Sequence, residues 1–389
     1  MKKIKLGDLC VPSAGQLKKD SDELIDYIDI SSVDNETKKV TGYQTLLFEE
    51  APSRARKTVK KGSILVSTVR PNLNAVAMLE EDTPNISVAS TGFCVLDSKE
   101  NVDNRFILNF CKSKTFINAM VAQATGASYP AVSDKIVRAA LVPDYTYEEQ
   151  CNISEVLYKV SNVIEKRKAE LCSLDDLIKA RFVEMFGDPK LNEKGWKTGI
   201  VSEYYTVKGG KRIPKGMGYA NKITGHPYLR VTDMKNETIL DNDIHYIDDE
   251  VFEHIKKYTV CGGDIYLTNV GINLGMAGVI PEKYDGASLT ENAVKLVTKT
   301  KRVLEGAFLA HYINSPGIQD YISERKMSVG VPKLAIFRIE TMPLLLPPIE
   351  LQIQFIKFYK QVDKSKSAVK KALDETQLLF DSLMQEYFG

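Results

Sequence analysis

The sequence predicts an α+β protein built from two repeated mixed α/β heads, each followed by a long α-helix. The two helices are expected to pair as an antiparallel coiled coil about a pseudo-twofold axis. Three observations carry this: an internal repeat near an offset of 202 residues, strand-like text opening each copy, and an unbroken heptad seam closing each copy.

The repeat comes first, because an overlooked repeat mis-assigns a whole fold. Phe186 and Gly187 in "RFVEMFGDP" recur 202 residues later as Phe388 and Gly389 in "LMQEYFG". In the same register Pro130 falls on Pro332, and "RFILNFCKSKTF" lies over "AFLAHYINSPGI", matching Phe106 to Phe308 and Ser113 to Ser315. Further upstream the offset slips to 201, where "KKGSILVST" matches "CGGDIYLTN" and "YIDISSVDNET" matches "YLRVTDMKNET". The copies divide into a head over residues 1–146, a helix over 147–187, a second head over 188–348 and a second helix over 349–389.

Within each head, runs such as "GSILVSTVRPNLNAVAML" and "GGDIYLTNVGINLGMAGVI" are rich in β-branched residues and bounded by Gly, Pro and Asn. They read as short strands with tight turns. A helical patch follows, "NRFILNFCKSKTFINAMV" in the first head and its partner around 305–323 in the second. From Tyr147 onward the apolar spacing alternates four and three through Ile153, Leu157, Val160, Ile164, Arg167, Leu171, Leu174, Ile178, Arg181 and Met185. That is a coiled-coil seam. Gly187 suits the position just past a helix end, with Pro189 beyond it. The second copy runs through Phe355, Tyr359, Val362, Lys366, Val369, Leu373, Thr376, Phe380, Leu383 and Tyr387. Helices of this length, about 57 Å at 1.5 Å per residue, overshoot one head. Pairing with each other is more economical than packing each on its own head, the alternative. On this reading the chain stops at residue 389 because the second helix matches the first.

Composition bounds the function. A net charge of +1 confines any nucleic-acid binding to local patches. No run of 18 apolar residues occurs, and "MKKIKLGDLC" lacks an apolar core, so neither a membrane span nor a secretory signal is expected. The six cysteines form no C-x-x-C pair and read as reduced thiols of a soluble cytoplasmic protein. Known catalytic patterns are missing. The four histidines have no metal-ligand spacing, "VKGGKRIPKG" puts Arg212 where a phosphate loop needs Ser or Thr, and "GINLGMAG" has the wrong glycine spacing for a dinucleotide. No nucleophile elbow and no Asn/Asp-Pro-Pro-Tyr methyltransferase motif occurs. The expectation is no enzyme, no catalytic or metal residues, and no cofactor of its own.

Local charge stands out instead. Arg54, Arg56, Lys57, Lys60, Lys61 and Arg70 fall in one stretch with no acid, and Lys208, Lys211, Arg212, Lys215, Lys222, Arg230 and Lys235 in another with only Asp233. A basic block in each copy suits a phosphate backbone; solvated surface charge is the alternative. Beside the blocks lie side chains able to read base edges: Ser67, Thr68, Asn72 and Asn74 in the first head, Tyr219, Thr232, Asn269 and Asn273 in the second. The loops "QATGASYPAV" and "KMSVGVPKL" add Ser128, Tyr129 and Lys333 as candidates, though turn-shaping roles stand as the alternative for each.

Together, "ILVSTVRPNLNAVA", "TGASYPAVS", "GKRIPKGMGY", "HPYLRVTDM", "DGASLTENAVKL" and "RFVEMFGDP", set in two diverged half-repeats, resemble the DNA-specificity subunits of Type I restriction–modification systems. The resemblance implies two target-recognition domains, each reading one half of a bipartite site in double-stranded DNA, with the helix pair as a ruler. A rod of about 57 Å corresponds to about 17 base pairs as an upper bound. It also implies a non-catalytic chain that recruits two adenine methyltransferase (modification) subunits and, through them, restriction/translocase subunits. S-adenosylmethionine, ATP and Mg would belong to those partners. The exposed helix lysines Lys357, Lys360, Lys364, Lys370 and Lys371 are candidate docking residues. One departure is that Lys366 and Thr376 stand where the first seam has Ile164 and Leu174, which predicts looser pairing there. Two rival readings are a DNA-binding adaptor for another methyltransferase–nuclease system, and a scaffolding coiled coil with no affinity for DNA.

Overall fold

The structure is a computed structural model describing residues 2–12, 15–17, 23–299, 303–327 and 330–389. Ser328 and Val329 of the predicted reading loop lie outside these residues. The chain divides into two compact units, residues 1–169 with 370–389, and residues 170–369.

In the first unit Gln44–Leu47, Leu24–Ile28, Ile86–Ser90 and Ala55–Thr58 form one sheet in that order, with Leu24–Ile28 parallel to Ile86–Ser90. A second sheet holds Val76–Met78, Ile64–Ser67 and Phe93–Leu96, and Lys3–Lys5 pairs with Leu141–Pro143. Ile64–Ser67 and Phe93–Leu96 are buried along their whole length, which explains their continuous rather than alternating apolar text. The second unit repeats this plan. His245–Tyr246, Pro227–Leu229 and Ser288–Leu289 form one sheet, again with a parallel pair. Tyr205–Gly209, Ala293–Thr298, Ile265–Thr268 and Ala277–Val279 form another, and Lys197–Ile200 pairs with Pro343–Leu346.

The predicted helical patch is two helices in each head, Asn104–Lys112 with Lys114–Gln123 and Gly306–Asn314 with Pro316–Arg325. The break falls at Ser113, whose hydroxyl accepts from the Phe116 amide at 3.2 Å and starts a new helix. A repeated clamp ties each patch to a long helix. Gln150 accepts from the Asp103 amide at 3.1 Å and donates to the Tyr145 carbonyl at 2.9 Å. Its counterpart Gln352 accepts from the Glu305 amide and donates to the Pro347 carbonyl, both at 2.8 Å.

The long helices run Tyr147–Phe186 and Ile349–Phe388, 40 residues each, about 60 Å at 1.5 Å per residue. Gly187 follows the first with φ +76°, a left-handed conformation that glycine adopts without penalty. Every seam residue named above is buried or half-buried. Within the first unit, Ile153 and Leu157 share a core with Phe388, whose ring lies 5.3 Å from Phe106 and 6.0 Å from Phe110. There Arg167 donates to the Ala372 carbonyl and, at 2.5 Å, to the Thr376 hydroxyl. Within the second unit, Ile178, Phe182 and Phe186 pack with Phe355 and Val362, and the Phe186 ring lies 4.8 Å from Phe308. Lys366 pairs there with Asp175. In both units low-numbered residues of one helix meet high-numbered residues of the other, so the adjoining segments are antiparallel. Thr376 and Lys366, the departures from an apolar seam, each meet a polar partner. Among the described residues no helix is long and apolar enough to cross a membrane.

Candidate nucleic-acid interface

The same loop pair recurs in both heads. In the first, strand Ile64–Ser67 leads into residues 68–75, which lie against the hairpin loop 125–131. Ala131 bridges both Val69 and Thr125, the Arg70 amide donates to the Pro130 carbonyl at 2.7 Å, and the Val132 amide to the Thr68 carbonyl at 2.9 Å. In the second, Lys333 bridges Val270 and Met327, and the Gly271 amide donates to the Pro332 carbonyl at 2.9 Å.

In the first head the candidates separate into loop supports and exposed groups. Ser67 donates to the Val69 carbonyl and Thr68 to the Gly92 carbonyl, each at 2.9 Å, and both are buried. Asn74 is buried too, with φ +48° and its carbonyl taking the Lys38 ammonium at 2.7 Å. The Ser67 and Thr68 hydroxyls thereby satisfy the polar root of the loop, as buried polar groups must be satisfied. Arg70, Asn72, Ser128 and Tyr129 are exposed together on the loop pair. The Arg70 guanidinium carbon lies 4.8 Å from the centre of the Tyr129 ring. Both border a cleft of about 580 Å³ that Ile30, Asp34, Asn35 and Glu36 also line. Asp34 accepts the Thr37 amide at 2.6 Å, which with the Thr37 hydroxyl holds its carboxyl below the usual range and so ionised.

The basic block is partly committed. Lys57 donates to the Phe93 carbonyl and pairs with Asp134, both at 2.6 Å. Arg56 sits 5.1 Å over the Phe48 ring and donates to the Ala55 carbonyl. Arg54, Lys60 and Lys61 are exposed.

In the second head Arg230 is held by Asp233, whose two oxygens lie 2.7 and 3.1 Å from its guanidinium, and by Asp243 at 2.9 Å. These bonds push its already high pKa further up. The acid three residues away was visible in the sequence; the fork geometry was not. Arg212 pairs with Glu291 at 2.6 Å but is largely exposed, Lys211 lies 5.7 Å over the Tyr258 ring, and Lys215 is exposed. Tyr219 packs edge-on against His245 at 4.4 Å. Thr232 and Lys333 are exposed. Asn269 is buried, donates to the Leu334 carbonyl at 3.4 Å and leaves its side-chain oxygen unpartnered. Asn273 is half-buried and its carbonyl accepts the Thr268 hydroxyl at 2.5 Å.

Sequence reasoning for base contacts favoured polar residues and passed over apolar ones. Ile272 is 96% exposed at the tip of the second loop, with Ile223, Val331 and Met327 also exposed. The signal lay in the repeat, since Val331 stands at the Tyr129 position and Gly271 at the Arg70 position.

Residues 193–376 match the family described as the Type I restriction modification DNA specificity domain. Of the curated relatives, the Type I restriction enzyme EcoKI specificity subunit of Escherichia coli (strain K12) is 21% identical over 332 residues, 76% of this chain and 67% of that one. The chain is thus similar to Type I specificity subunits, most clearly over residues 193–376. The HindI specificity subunit of Haemophilus influenzae is 27% identical over 145 residues, 36% of this chain. That match spans 31% of the HindI subunit, so the chain spans about a third of one such specificity subunit and two-thirds of the other. A chain from a solved structure described as "Structural basis underlying complex assembly and conformational transition of the type I R-M system" shares the fold. Its TM-score is 0.65 at 22% identity, covering 100% of this chain and 97% of that one.

Proposed function

We propose that this chain is a Type I specificity subunit that reads a bipartite, asymmetric target in double-stranded DNA, one half-site per head. Residues 1–146 and 188–348 serve as the target-recognition domains, and residues 147–187 and 349–389 as a coiled-coil ruler that fixes the unread spacer. The observation that supports this most directly is the repeated loop pair. Its backbone scheme is the same in each head, while the exposed side chains differ, Arg70 and Tyr129 in one and Ile272 and Val331 in the other. A shared scaffold with divergent tips is what two readers of unlike half-sites require, because base edges carry the sequence information.

On this reading the exposed cations Arg54, Lys60, Lys61, Lys211, Lys215 and Lys333 meet phosphates and set the register. Catalysis belongs to partners in the cytoplasm, two modification subunits carrying S-adenosylmethionine and restriction subunits using ATP and Mg. The modification subunits take the target adenine out of the stack. The lysines at 357, 360, 364, 370 and 371, all exposed on the second long helix, offer a docking face.

Adenine-methylation mapping with and without this gene tests the proposal. A two-part motif that disappears on deletion is expected, and exchanging residues 1–146 for another head should change one half only. Methylation that is indifferent to the gene while an active methyltransferase partner is present refutes it.

A further inference from the structure

Arg70 occupies a backbone position that a long side chain does not favour. Its φ is +48°, and the equivalent residue of the second head is Gly271 with φ +108°. The two are equivalent by structure as well as by offset, since each donates its amide to the carbonyl of the matching proline, Pro130 or Pro332. Glycine is the unstrained choice for such a turn, and a strained residue kept in its place points to a task for its side chain. Among the described residues that side chain makes no hydrogen bond and no ion pair. Its contact is the face of Tyr129, itself 69% exposed. A guanidinium resting on an aromatic face is oriented by it while its donors stay free.

The cleft beside it argues against a phosphate as the ligand of those donors. Asp34 and Glu36 line it, and their carboxylates repel a phosphate. They repel an uncharged base edge far less. We propose that Arg70, steadied by Tyr129, is the specificity-determining residue of the first head and reads a guanine through its O6 and N7 in the major groove. The second head, with Gly271 and Val331 at these positions, has no such reader. The inference rests on the half-site reading above and adds to it the base recognised and the residue responsible.

The test is Arg70→Gly, which copies the second head and relieves the left-handed strain, so the full-length variant should melt at or above the wild-type temperature. Methylation motifs are mapped for wild type, Arg70→Gly, Arg70→Lys and the exchange of residues 1–146, the last identifying which half belongs to the first head. Expected is one guanine in that half whose discrimination falls about 10–100-fold in Arg70→Gly. The other half should stay intact, and Arg70→Lys should be intermediate because a point charge replaces a fork. A wild-type half-site without guanine overturns the inference. So does an unchanged guanine requirement in Arg70→Gly, or a uniform loss across all sequences, which would mark a phosphate contact. Absence of any gene-dependent motif in wild type would instead sink the specificity reading itself.

Discussion

Replacing Phe388 by Ala tests the packing of the second long helix on the first head. The ring is 1% exposed and lies 5.3 Å from Phe106 and 6.0 Å from Phe110, in the core that also holds Ile153 and Leu157. Truncating a buried aromatic ring to Ala costs about 3–5 kcal/mol, from the lost transfer energy plus an unfilled cavity. Phe388→Leu keeps most of the volume and should cost about 1–2 kcal/mol. Urea unfolding followed by circular dichroism gives the total. Amide exchange in helix Asn104–Lys112, which carries Phe106 and Phe110, reports whether the loss falls where the ring packs. A cost for Phe388→Ala under about 1 kcal/mol with unchanged exchange in that helix would refute the packing argument. Phe186→Ala should act in the same way on Gly306–Asn314, through Phe308.

Thr376→Val removes a hydroxyl that accepts from the half-buried Arg167 and should cost about 1–2 kcal/mol in denaturant midpoints, while adding Arg167→Met should recover most of it, because removing both partners is nearly neutral. Burial pushes the Lys112 ammonium down to about 8 from an ordinary 10.5. The folded state therefore carries its full penalty below pH 8 and sheds it as pH rises to 10.5, so stability should climb through that window. Lys112→Met should abolish the climb and unfold at higher denaturant at pH 7. Gln352→Leu removes the bonds to the Glu305 amide and the Pro347 carbonyl and should lower stability by about 1–3 kcal/mol, read by the same unfolding curves. DNA binding by the intact chain should weaken steeply with added salt, measured by fluorescence anisotropy, because phosphate contacts release counterions.

The sequence by itself determined the repeat, the identity of each seam and the order of strand text before helix text. These are local or periodic properties, written in spacing: Gly187 after Phe186, Ile153 to Leu157 to Val160, Pro130 over Pro332. It also exposed Thr376 and Lys366 as departures. What it did not carry was the partner of each, because a seam records which face is buried and not what buries it. Only the tertiary structure matched Thr376 with Arg167 and Lys366 with Asp175, and set Phe388 against Phe106 and Phe186 against Phe308. The paired loops were legible as regions and not as sets of exposed side chains. Ser67 and Thr68 turn inward because a loop leaving a buried strand must satisfy its own polar groups, and Arg230 closes on acids 3 and 13 residues away. Whether a polar side chain is free to meet a ligand depends on what the fold brings beside it, and that is a property of contacts between distant segments.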